Sequence, residues 1–107
     1  MDEELRDQIA RAAAILREAG AREVYLFGSA ATGKMHEGSD VDLAVSGLPP
    51  RQFFPAMGRA SDVLSRPLSL VDLDEDSPFT RYLRDEGELR PIGHEWGALS
   101  PANEEAS

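Results

Sequence analysis

Two aspartates separated by one residue, in Ser39-Asp40-Val41-Asp42-Leu43, stand at the head of an apolar stretch. That stretch reads as a strand, and aspartate is depleted in strands, so a pair there calls for a reason. A period of two sends both side chains off one face, with Cα atoms roughly 6.5–7 Å apart. Carboxylates held that close repel each other unless a cation lies between them. Asp72 follows Leu70-Val71 in a later run. If that run is a strand beside the first pair, Asp72 completes a set of three hard oxygen donors, which suits Mg²⁺ together with phosphate oxygens and water. The plainer alternative makes Asp40 a loop cap and Asp72 a strand-end residue facing water. Upstream, Val24-Tyr25-Leu26-Phe27 ends in Gly28-Ser29, where backbone N–H groups and a hydroxyl suit phosphate. Gly-Ser alone is only a turn. Gly-Ser, ten residues, then Asp-x-Asp is a four-point spacing that arises by chance on the order of once in a thousand chains.

The elements that must position these groups follow from periodicity. Leu5, Ile9, Ala12, Ala13 and Leu16 recur at spacings of three and four, giving an amphipathic helix from Glu3 to Ala19 that Gly20 stops. Glu23 to Phe27 is a strand, apolar on both faces and therefore internal. Gly28 to Gly38 is a loop or a short helical turn. Val41 to Val45 is a second strand, closed by Ser46-Gly47-Leu48-Pro49-Pro50. A helix is expected from about Phe53 to Leu64, with Phe54, Met57, Ala60, Ser61 and Leu64 on one side and Pro55 in its first turn. Pro67 to Leu73 is a third strand. Ser77-Pro78 is an N-cap followed by proline at the first helical position, opening a short helix to Leu83–Gly87. Leu89 to Ile92 adds an edge strand. The resulting fold class is α+β, a small mixed sheet with helices packed against it.

The 107 residues suffice for one domain, read as 1–96, with 97–107 expected to be a disordered tail. That length excludes a doubly wound dinucleotide enzyme, a kinase and a barrel. No apolar run approaches the ~18 residues of a membrane span, and Met1-Asp2-Glu3-Glu4 is not a signal peptide, so the expected location is the cytoplasm. The absence of cysteine removes disulfides, thiolate zinc sites and cysteine nucleophiles. A net charge of −9 opposes binding to duplex nucleic acid. Two rival motifs fail. Gly28 to Lys34 fits seven positions of a Walker A loop, but the eighth is Met35, and a strand follows rather than a long helix. Asp72, Asp74 and Asp76 mimic the start of an EF-hand, yet Ser77 and Leu83 stand where glycine and glutamate are required. Asp74-Glu75-Asp76 reads as a solvated acidic turn. His36 and His94 are far apart and lack zinc-ligand spacing. Trp96 either caps the core or meets a partner.

The stretch Leu26-Phe27-Gly28-Ser29-Ala30-Ala31-Thr32-Gly33-Lys34, continued by Ser39-Asp40-Val41-Asp42-Leu43, resembles the signature of the polymerase-β-type nucleotidyltransferases. The small size resembles the minimal nucleotidyltransferases, antitoxin partners of HEPN-domain toxins. The resemblance runs from about Glu3 to Ile92 and includes Val71-Asp72-Leu73 and Glu86-Gly87-Glu88-Leu89. Met35-His36-Glu37 departs from it, since many relatives carry a more basic or proline-rich loop there.

The resemblance implies transfer of AMP from ATP to a hydroxyl, with a tyrosine of a HEPN toxin as acceptor, a hetero-oligomeric pair and neutralisation of the toxin. It implies two Mg²⁺ ions clamping an in-line displacement. Asp40, Asp42 and Asp72 would hold them, with Asp72 also taking the acceptor's proton. Gly28 and the Ser29 hydroxyl would hold the terminal phosphates, Lys34 would neutralise charge, and Ser39 would orient the metal loop. Two alternatives remain: an idle antitoxin that masks its toxin stoichiometrically, and a small-molecule nucleotidyltransferase.

Overall fold

The first helix buries Leu5, Ile9, Ala12, Ala13 and Leu16, the three-and-four pattern of the sequence. The computed structural model describes residues 3–33, 35, 38–87 and 89–93. Lys34, His36, Glu37, Glu88, His94, Trp96 and the expected tail lie outside the described residues. The elements are α1 (Glu3–Glu18), β1 (Glu23–Phe27), α2 (Ser29–Thr32), β2 (Val41–Ser46), α3 (Pro50–Asp62), β3 (Leu68–Asp72), α4 (Pro78–Asp85) and β4 (Arg90–Pro91).

The four strands form one mixed sheet in the order β3-β2-β1-β4. β1 is antiparallel to both β2 and β4, whereas β2 and β3 run parallel, joined by the α3 crossover. As its apolar faces require, β1 is internal. Val24 and Leu26 of β1, Val41, Leu43 and Val45 of β2, and Leu68 and Leu70 of β3 all pack on the side of α1 and α3. The alternate residues Tyr25, Phe27, Ala44 and Val71 pack on the other side with Leu73 and Leu83, where α4 lies. Every residue of the sheet can therefore be assigned to one of two faces.

The α3 helix departs from expectation in start and phase. Pro50 occupies its first turn, so the helix begins three residues before Phe53 and Pro55 falls in its interior. Proline at the first position gives up only an N–H that has no intrahelical acceptor, which makes Pro50 the better start. Pro55 removes an interior donor and crowds the carbonyl of the preceding turn. The buried face is Ala56 and Ala60, with Phe53, Val63 and Leu64 beside them. Phe54, expected inside, is 72% exposed. Ala56 and Ala60 share one core cluster with Ala12 and Ala13 of α1, on which α3 packs, and Phe54 lies off that face.

The α4 cap is as the sequence indicates. Ser77 Oγ accepts from Thr80 N at 3.2 Å, and Thr80 Oγ1 accepts from Ser77 N at 3.1 Å, closing a capping box with threonine in the usual glutamate place. No helix among the described residues is long and apolar enough to cross a membrane.

Candidate active site

Asp42 is the second residue of β2, flanked by Val41 and Leu43, which face α1 and α3. Its carboxylate therefore emerges on the α4 side of the sheet. On that side its in-register neighbours are Phe27 of β1 and Ser69 of β3. Asp40 lies two residues earlier, exposed, at the approach to the strand. Burial pushes the Asp42 carboxyl above its ordinary value, and the charge of Asp40 pushes it further. The two carboxylates are thus held together at a cost.

The start of β2 is pinned by its neighbour. Val41 N donates to Pro67 O at 2.9 Å, and Arg66 Nη1 donates to the Ser39 carbonyl at 3.2 Å. Ser39 therefore contributes to holding the aspartate pair through its backbone, and Arg66 is a positioning residue that sequence reasoning missed. An arginine two residues before an apolar strand carries no recognisable pattern.

Gly28 joins the loop to the pair. Its φ of 74° and ψ of −151° lie in a region essentially reserved for glycine. A Cβ there would also run into the Asp42 carboxylate at Oδ2. Glycine is thus required both by backbone conformation and by the closeness of Asp42. Its carbonyl accepts from Ala31 N at 3.1 Å and Thr32 N at 3.2 Å, starting the single turn of α2. Ser29, next in the chain to Gly28, is the first residue of that turn. Lys34, the remaining member of the expected loop, lies outside the described residues.

Asp72 does not join them. The third strand does lie beside the second, but the parallel register sets Asp72 against Val45 and Ser69 against Asp42. An offset of three residues is about 10 Å along the strand. Being odd, it also places Asp72 on the opposite face, where it lines a depression with Pro50, Phe53, Phe54 and Glu75. Asp72 Oδ1 accepts from Asp74 N at 2.9 Å, which caps the turn after β3. Asp72 is thus a strand-end residue, half-buried rather than facing open water. Asp74 is more than a solvated turn residue, since its Oδ2 accepts from Gly47 N at 2.7 Å and ties the ends of β2 and β3 together.

The donor set can be tested against the implied metals. Two neighbouring carboxylates, with Asp42 raised in pKa by burial and then by the charge of Asp40, fit one hard divalent cation, which would offset both. They do not fit a pair of ions sharing three carboxylates. Among the described residues there is no group of three acidic or histidine side chains able to hold a metal.

Beside Gly28 runs a groove of about 250 Å³ lined by Phe27, Gly28, Thr32, Phe79, Tyr82, Leu83 and Gly87. Phe79 and Tyr82 are half exposed, at 50% and 55%, and Phe79 meets Phe27 edge to face at 6.4 Å. By sequence Tyr82 fits a core or half-buried position and Phe79 carries no signal, because the place of this eight-residue helix on the sheet depends on tertiary packing.

Comparison with solved structures finds the same architecture. A structure described as a minimal nucleotidyltransferase matches with a TM-score of 0.66 and 25% identity, covering 82% of this chain and 95% of that one. A toxin–antitoxin structure with AMP-PNP matches with a TM-score of 0.63 and 22% identity, covering 99% and 86%. The MntA–HepT toxin–antitoxin structure matches with a TM-score of 0.56 and 18% identity, covering 92% and 85%. No curated protein matches the sequence. The family model "Polymerase beta, Nucleotidyltransferase" matches residues 11–89, a span that contains both the Gly28-Ser29 turn and the Asp40–Asp42 pair. With most of its length matched and its fold shared with these structures, the chain belongs to the polymerase beta nucleotidyltransferase family.

Proposed function

We propose that this chain is the antitoxin of a toxin–antitoxin pair and transfers AMP from ATP to a hydroxyl of its toxin. The observation that carries the reading is the junction of Gly28 and Asp42. A glycine-only backbone lets the phosphate-type loop and the aspartate pair share one site. In this reading Gly28 N–H and the Ser29 hydroxyl hold the terminal phosphates, while Asp40 and Asp42 face the metal-bound triphosphate. The acceptor oxygen bonds to the α-phosphorus, the α–β bond breaks, pyrophosphate leaves and the hydroxyl proton passes to solvent. A divalent cation on the aspartate pair would neutralise charge on the triphosphate.

The toxin–antitoxin structures among the similar folds support a toxin as partner, and a tyrosine of a HEPN toxin is the acceptor we propose. Among the described residues the groove beside Gly28 encloses only about 250 Å³, which the nucleotide alone would take up, leaving little to enclose a small acceptor as well. A protein acceptor avoids that limit by bringing its own docking surface and orienting its own hydroxyl. This argues against a small-molecule nucleotidyltransferase. One observation favours stoichiometric masking instead: Ser69, not a carboxylate, faces Asp42 from β3.

The test is to incubate the chain with ATP, Mg²⁺ and the protein encoded by its neighbouring gene, then weigh that protein intact. Gains in steps of one AMP, absent with Asp42→Asn, are expected. Inhibition of the toxin without any gain in mass would instead establish masking.

A further inference from the structure

We infer that the Asp40–Asp42 site holds a single divalent cation alongside the triphosphate, and that the place for a second ion is vacated at Ser69. The inference rests on the nucleotidyltransferase reading above and concerns how its site is equipped. Two residues flank Asp42 in register, Phe27 from β1 and Ser69 from β3. The next residues on the same face are Tyr25, Ala44 and Val71. None is acidic. The nearest acid on β3 is Asp72, on the other face and about 10 Å along the strand, with one carboxylate oxygen already accepting from Asp74 N.

Two divalent cations ~3.5–4 Å apart bring four positive charges into one site and need a ligand beyond the shared pair. Ser69 offers a neutral hydroxyl, a poor substitute for a carboxylate toward a hard cation. Of the two residues in register with Asp42, Ser69 is the polar one and so the one placed to act as a general base. A serine hydroxyl is not ionised near neutral pH and takes no proton there. The described residues thus supply the nucleotide-side half of the catalytic equipment, and none of them on this face stands ready to take the acceptor's proton, which passes to solvent or to the acceptor protein itself.

The full chain is titrated with Mn²⁺ and α,β-methylene-ATP, whose α–β bridge cannot be cleaved, and bound Mn²⁺ is counted by electron paramagnetic resonance. One Mn²⁺ per bound nucleotide is expected. Ser69→Asp is expected to bring the count to two, with a Mn²⁺–Mn²⁺ dipolar coupling that the unaltered chain lacks. Asp72→Asn is expected to leave the count at one. Two ions per nucleotide in the unaltered chain, or loss of an ion with Asp72→Asn, would overturn the inference while leaving the nucleotidyltransferase reading standing. Failure to bind the nucleotide at all would overturn both. The count in the unaltered chain decides the matter even if Ser69→Asp does not fold.

Discussion

Asp42 pays for its position in stability. Burial and the neighbouring Asp40 raise its pKa above the ordinary 3.8, so the native chain binds this proton more tightly than the unfolded chain does. The ionised form therefore opposes folding. That penalty is complete above the raised pKa and disappears as pH falls through it toward 3.8. Asp42→Asn is expected to abolish transfer and, without Mg²⁺, to raise the melting temperature at neutral pH. Each kcal/mol relieved is worth about 4–8 °C in a domain of this size. Thermal melts of both chains at descending pH should show the gain shrinking to nothing in the ordinary carboxylate range. Gly28 gives the complementary case. Gly28→Ala imposes a strained backbone, of order 1–3 kcal/mol, and a collision with the Asp42 carboxylate. Repeating the substitution in an Asp42→Ala background removes the collision alone. Denaturant titration of the four chains should then show Gly28→Ala costing less, though not nothing.

Helices and strands with local signals were legible, and the register between strands was not. Ser77-Pro78 announced the start of α4 because a cap and a first-turn proline act within four residues. Leu5, Ile9 and Leu16 announced α1 for the same reason. Gly28-Ser29 and Asp40-Val41-Asp42 were legible as a spacing, and the fold brings them together. Asp72 was misplaced because strand register depends on hydrogen bonds between distant residues, here Val41 N to Pro67 O, and a shift of three reverses the face. The α3 phase was missed because alanines, weak in any hydrophobic count, win a helix interface by their small size. The capping box permits a direct test at this scale. Ser77→Ala should cost about 0.5–2 kcal/mol. The loss should appear as a lower denaturant midpoint with an unchanged slope.

For the molecule as a whole, the aspartate pair and the groove beside Gly28 both lie open at the surface. Free tyrosine and other small alcohols are expected to accept no detectable AMP under conditions where the toxin is modified. Chromatography of labelled products checks this, and efficient labelling of the free amino acid would contradict a protein acceptor. The sheet's topology carries a further consequence, for the order in which the chain is made. Val24 O accepts from Ile92 N, so one edge of β1 is completed by residues synthesised roughly 70 positions later. At about 5–20 residues per second, that edge waits on the order of several seconds on the ribosome. Over that interval β1 offers unpaired backbone to any extended chain nearby, and closure of the sheet at this edge waits for β4 to emerge. The late-arriving β4 is two residues long and includes Pro91, which has no N–H, so once in place it presents a poor template for another strand.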